Sequence, residues 1–261
     1  MDYTYAKVKT IDFITTITID NPPANTLSTE CIHELRSIFE ELSHDDGTNA
    51  IILTGSGRFF VAGADIKEFV QAFENKEMAL QMAKAGQALC NEIEAMMKPV
   101  IAAINGPALG GGLELAMGCH YRIASNDALL GLPELKLGLL PTFGGTQRLS
   151  RLTNTATAMD MILSSKQISA DEAVQLGLIQ LVACKEELLK TAQMVAQAFV
   201  QGKSMTSVSR AVECIMLSNH ETLEVGLEME RARFAELFLT NDAKEGVNAF
   251  IEKRKPTFNH S

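Results

Sequence analysis

Apolar and polar residues alternate in Phe13-Ile14-Thr15-Thr16-Ile17-Thr18-Ile19, the period of a strand with one polar face. Asn21-Pro22-Pro23 ends it, because proline neither continues a ladder nor leaves the preceding residue free. From Ser28 to Leu42 the period changes: Cys31, Ile32, Leu35, Ile38, Phe39 and Leu42 recur at helical spacing, with Ser28 placed as N-cap. Two short apolar runs follow, Ala50-Ile51-Ile52-Leu53-Thr54 and Val100-Ile101-Ala102-Ala103-Ile104, each bounded by turn residues and separated by a helical stretch from about Asn75 to Met97. Strands apolar on both faces with helices between them predict an α/β arrangement of buried parallel strands. Tyr121–Ala124 and Ile179–Val182 are candidates for further short strands.

Beyond residue 186 the strand signals stop. Glu186–Val200, Ser207–Leu217, Leu223–Leu239 and Ala243–Lys253 all carry helical spacing. The chain of 261 residues therefore reads as a core over 1–195 followed by a helical region over 196–261, without an internal repeat or linker.

Composition narrows the functions open to such a fold. With 32 acidic against 23 basic residues the formal charge is −9, the wrong sign for a protein whose main partner is nucleic acid. The five cysteines (31, 90, 119, 184 and 214) are odd in number and never spaced as C-x-x-C, which argues against a disulfide framework and a zinc site. They suit a reducing compartment, and a cytoplasmic location is the expectation. The start, Met1-Asp2-Tyr3-Thr4-Tyr5, has no basic segment leading into an apolar one. The most apolar stretch, Pro99 to Gly118, is interrupted by Asn105, several glycines and Glu114, so no membrane span is expected. Gly202-Lys203-Ser204 lacks the first glycine of a phosphate loop, Gln197 standing there, and no G-x-S-x-G elbow occurs. The five histidines are scattered, so no metal is expected.

Three loops remain as carriers of chemistry. The first, Gly57 to Lys67, has small residues at 62–64 that let a ligand approach the main chain; it also reads as an ordinary strand-to-helix connection with Asp65 as N-cap. The second, Asn105 to Gly112, runs through three glycines into a helix near Leu113. A helix N-terminus offers unpaired N–H groups and a positive dipole end to a developing negative charge. Glu114 in the first turn is either a reacting carboxyl there or a complement to the dipole. The third, Leu132 to Leu149, sets Glu134 among apolar residues, where a carboxyl pKa rises toward neutrality; a solvated loop glutamate is the other reading. Together the loops describe a site that polarises a carbonyl and manages a proton, without naming the substrate.

Several segments, taken in order, resemble the enoyl-CoA hydratase/isomerase (crotonase) family. They are Ala62-Gly63-Ala64-Asp65-Ile66-Lys67, Lys98 to Gly106, Ala108-Leu109-Gly110-Gly111-Gly112, Pro133-Glu134, Gly144-Gly145-Thr146-Gln147-Arg148-Leu149 and Ala249 to Arg254, spread over essentially the whole chain. The resemblance implies a spiral of β-β-α turns with a C-terminal helical trimerisation region, assembled as a trimer or dimer of trimers. It implies an acyl-CoA substrate and no separate cofactor, CoA being part of the substrate. By the same resemblance the amides of Ala64 and Gly111 form an oxyanion hole, Glu114 orients and activates a water, and Glu134 delivers a proton to C2. Arg58, Ala62, Asp65, Ile66 and Lys67 match positions that hold CoA. Phe250 and Lys253 match residues that in some members reach a neighbouring subunit's CoA. The activity implied is hydration of a 2-enoyl-CoA. The alternatives are double-bond isomerisation, which usually needs only the acid at Glu134, and dehydration of a specialised hydroxyacyl-CoA. RNA binding, known in some members, is disfavoured by the charge. Two positions depart from the family: Thr142-Phe143 stands where Pro-Gly-x-Gly-Gly is common, which bears on acyl length, and His120 stands where Asp is common, which bears on local structure.

Overall fold

The computed structural model describes residues 3–260; Met1 and Asp2, part of the start examined for a leader, lie outside the described residues. Strands β1 (Ala6–Ile11) and β2 (Ile14–Ile19) form an antiparallel hairpin. There follow α1 (Thr29–His44), β3 (Ala50–Gly55), α2 (Ile66–Ala72), α3 (Lys76–Glu94), β4 (Val100–Ile104), β5 (Ala108–Leu109), α4 (Gly111–Gly118), β6 (Tyr121–Ser125) and β7 (Leu129–Gly131). The chain continues through α5 (Gly145–Leu152), α6 (Thr155–Leu163), β8 (Gln167–Ser169), α7 (Ala170–Gln175) and β9 (Leu181–Ala183). It ends in four helices: α8 (Leu188–Val200), α9 (Met205–Leu217), α10 (Leu223–Leu237) and α11 (Asn241–Ile251).

The main sheet runs β1-β2-β3-β4-β6-β9, parallel from β2 onward, and a small second sheet runs β5-β7-β8. The architecture is thus the α/β arrangement expected, with mostly parallel strands and a helical C-terminal part. The double-faced apolar strands have their cause in two cores. Ile51, Leu53, Val100, Ala102 and Ile104 face the core shared with α1, α3 and α4. Ala50, Ile52, Ile101, Ala103 and Ile123 face the other side, where α8 lays down Leu188, Ala192, Ala196 and Val200.

Helix α1 forms as its spacing predicts. Ser28 caps it by accepting the Cys31 N–H, and its six periodic apolar side chains are buried, together worth on the order of 10 kcal/mol in apolar surface removed from water. One expectation needs correction, and two details go beyond the sequence reading. Phe13 is not in the strand: with Asp12 it forms the turn of the hairpin, at φ of 61° and 50°, and is exposed. Strand β1 was not anticipated, because of its six residues only Ala6 is buried and the alternation is lost on a solvated edge. The helix expected near Leu113 begins at Gly111.

Candidate active site

The first loop is fixed to the core by hydrogen bonds on both sides. Leu27 donates to the Gly63 carbonyl (2.9 Å) and accepts from the Asp65 N–H (3.0 Å) in a parallel bridge opposite Ala64. In such a bridge the residue facing the bonded one points its own N–H to the other side, so the Ala64 amide is turned away from Leu27. Asn25, buried, donates from its side chain to the carbonyls of Ser56 and Phe59, and Asn105 accepts the Gly55 N–H, so the return from β3 is held by two asparagines. Asp65 does cap α2, accepting the Lys67 N–H. Asp65 to Glu68 has the spacing of a capping box, yet Glu68 instead accepts from the Thr29 N–H and hydroxyl at the start of α1. Helix α2 is thereby strapped to α1, a link the sequence showed only as an acid at the right spacing.

The glycines of the second loop have separate physical reasons. Gly110 sits at φ 53°, and a methyl group there would lie 2.7 Å from Glu134 Oε1. A methyl on Gly112 would collide with the Val61 carbonyl, because α4 packs directly on that strand-like segment. A methyl on Gly111 would lie 3.4 Å from the Ala64 nitrogen, which puts the two amides side by side. Gly111 is the first residue of α4, whose N–H has no acceptor within the helix.

Glu114 lies in the first turn of α4, 2% exposed, and its Oε1 accepts the Gly145 N–H at 2.6 Å. Its carboxyl is pushed up to about 8, first by burial and then by the charge of Glu134; the amides of Gly145 and Phe143 and the Arg148 guanidinium pull the other way. A group placed only to complement a dipole would be expected to stay ionised, so the structure favours a reacting carboxyl. Glu134 opens a 3-10 turn, Glu134–Leu137, closed by Gly138 at φ 73°. It is half-buried, its Oε2 is buried without a hydrogen-bond partner, and burial raises its carboxyl. The solvated loop glutamate is excluded by that burial. The charge of Glu134 is felt at Glu114, so the two acids of the site are electrostatically coupled.

Both carboxyls, Ala64 and Gly111 border one pocket of about 340 Å³, otherwise walled largely by apolar side chains. Ala62, Asp65 and Ile66 line it as well. Arg58 and Lys67 do not: both are exposed, and Arg58 lies over the Phe59 ring at 5.7 Å. Phe250, 85% exposed on α11, and Lys253 just beyond that helix do not line it either. His120 serves local structure. Its Nδ1 accepts the Val100 N–H, and its Nε2 lies 3.1 Å from the Glu94 carbonyl. Behind the site Arg148 binds Glu94 at 2.6 Å and donates to the Phe143 carbonyl at 3.0 Å, holding the loop that supplies the Gly145 amide. Among the described residues no group of three or more metal-ligating side chains is assembled, and no helix is long and apolar enough to cross a membrane.

The chain is similar to known proteins over nearly its whole length. The family model described as Enoyl-CoA hydratase/isomerase matches residues 10–261. The chain is 48% identical to a probable enoyl-CoA hydratase of Bacillus subtilis (strain 168), over 94% of this chain and 95% of that protein. It is 39% identical to a short-chain-enoyl-CoA hydratase of Clostridium acetobutylicum, over 93% and 92% of the two chains. Its fold is similar to the crystal structure of an enoyl-CoA hydratase from Bacillus anthracis, with a TM-score of 0.92 at 35% identity over 99% of this chain and all of the other.

Proposed function

The chain belongs to the enoyl-CoA hydratase/isomerase family and is an enoyl-CoA hydratase, a hydro-lyase acting on 2-enoyl-CoA; on that premise we propose how its residues carry the reaction. The thioester oxygen is bound by the amides of Ala64 and Gly111, residues that both line the pocket. As water adds at C3, negative charge moves onto that oxygen, and the two donors stabilise it in place. One such donor is typically worth ~10²–10³ in rate. Glu114 orients the water and takes its proton; Glu134, whose Oε2 is buried and unpartnered, delivers a proton to C2 as the enolate collapses. The product is a 3-hydroxyacyl-CoA. The observation that carries this reading is the pair of proton-holding carboxyls facing the two amides across one apolar pocket.

Ala62, Asp65 and Ile66 are assigned to the CoA side of the pocket. Arg58 and Lys67, exposed near its mouth in sequence, are assigned to the solvated phosphates. The exposed apolar side chains of α10, its C-cap and α11, among them Leu223, Phe234, Phe238 and Phe250, support assembly as a trimer or dimer of trimers, with Phe250 and Lys253 directed to a neighbour's CoA. Five unpaired cysteines suit the reducing cytoplasm.

The test is the loss of conjugated thioester absorbance with crotonyl-CoA and longer 2-enoyl-CoAs. Hydration is expected with the wild type, and Glu134→Gln should lower kcat by ~10²–10⁴, the usual contribution of a positioned acid or base. Absence of hydration at every chain length sinks the assignment. A rise in conjugated absorbance from a 3-enoyl-CoA, without hydration, makes the protein an isomerase.

A further inference from the structure

Directly behind the catalytic pocket lies a second cavity of about 490 Å³. One face of α3 runs past both: Ala79, Met82 and Ala83 line the front pocket, and Gln87, Asn91 and Glu94 line the rear cavity, as residues three and four apart on a helix must. Helix α4 likewise gives Glu114 to the front and Met117 to the rear.

Phe143 borders the front pocket and not the rear cavity. Its ring lines the front pocket and is 6% exposed. It seats on α3 where residue 86 is glycine, and a methyl group on Gly86 would fall inside the ring. On its other side a methyl on Gly111 would lie 3.2 Å from Phe143 Cε2. The ring is therefore wedged between α3 and the start of α4, next to the amide that binds the thioester oxygen. Its backbone is pinned twice: Gln87 donates to the Thr142 carbonyl at 2.8 Å, and Arg148 to the Phe143 carbonyl at 3.0 Å. Arg148 is itself held by Glu94, so the wall has no slack to swing on.

We propose that Phe143 is a specificity-determining residue that closes the acyl end of the pocket and restricts this hydratase to short 2-enoyl chains. This rests on the acyl-CoA reading of the site. With the thioester oxygen on Ala64 and Gly111, and CoA leaving by the side of Ala62, Asp65 and Ile66, carbons beyond C3 run toward the ring. The space a longer chain takes when the wall is removed is the volume the ring itself vacates between α3 and α4, since the rear cavity is lined mainly by polar and charged groups, among them Glu94, Arg122, Arg148 and Arg151.

The experiment measures kcat/KM for crotonyl-, octenoyl-, dodecenoyl- and hexadecenoyl-CoA on the wild type, Phe143→Gly and Phe143→Leu, each checked for folding by circular dichroism. The wild type should decline steeply with chain length. Phe143→Gly should raise the dodecenoyl-to-crotonyl ratio by about tenfold or more, since each methylene newly buried is worth roughly fourfold. Phe143→Leu, which shortens the wall without emptying it, should fall between, and it carries the test if the glycine variant does not fold. The wild-type profile alone decides against the proposal if hexadecenoyl-CoA is hydrated as well as crotonyl-CoA. A folded Phe143→Gly with an unchanged ratio also overturns it. Either result leaves the hydratase assignment standing, whereas loss of all hydration in the wild type removes both.

Discussion

Glu114→Gln offers a quantitative check on the site because it exposes what the active pocket costs the fold. In the native protein the Glu114 carboxyl is raised from an ordinary 4.5 to about 8, mainly by burial and secondly by the charge of Glu134. The folded state therefore binds a proton that the unfolded chain gives up, so the favourable coupling is complete below about pH 4.5 and fades as pH rises through about 8. At ~1.4 kcal/mol per pH unit the full effect is about 5 kcal/mol, a third or more of a typical domain's total stability. Glutamine keeps the acceptor for the Gly145 N–H and cannot ionise. Urea unfolding of wild type and Glu114→Gln, at one protein concentration and between about pH 5 and about pH 8.5, should show the wild type losing stability with rising pH. The variant should follow a much flatter line, so that it becomes the more stable protein on the alkaline side while being catalytically dead. Glu134 is still present in both proteins, and its burial gives each a slope of the same sign. Parallel lines for the two proteins would refute the reasoning, because they would mean that Glu114 is not held in a site hostile to its charge.

Two further outcomes follow from the same geometry. With Glu114 as the base and its carboxyl raised to about 8, kcat/KM for crotonyl-CoA should rise through neutrality as that carboxyl ionises; a rate that is flat between about pH 5 and about pH 9 would show that ionised Glu114 is not needed. Gly112→Ala should lower stability by about 1–3 kcal/mol or prevent folding, since the added methyl meets the Val61 carbonyl rather than a flexible side chain; a thermal midpoint equal to the wild type's would contradict that packing.

The parts legible in the sequence are those whose cause is local. The runs at 50–54 and 100–104 are apolar on both faces because cores lie on both faces, and α1 announces itself by its cap and its period. The edge strand β1 was invisible because only Ala6 is fully buried, with Val8 half-buried against the core, too few positions to set a period. The second sheet escaped because strands of two and three residues carry no period. At the site, Glu114 and Glu134 were legible as acids beside glycines and apolar residues, but their burial decides between reaction and solvation, and burial is a property of the fold. Glu68 at the Thr29 amide and Gly86 under the Phe143 ring join positions 39 and 57 residues apart. No spacing rule reaches across such distances, and neither residue has a remarkable neighbourhood in sequence.

The bridges that fix Leu27 against Ala64 and Val61 against Ala108 also bear on how such an enzyme changes over generations. The groups assigned to hold the thioester oxygen are peptide N–H groups, present whatever residue other than proline is encoded, and the segments that carry them are bridged to the core. Among side-chain substitutions, only proline removes the donor itself. The ring at Phe143 is the opposite case: one codon separates a wall from an opening. Selection on diet or pathway can therefore reshape which acids are processed while the activating device is inherited unchanged.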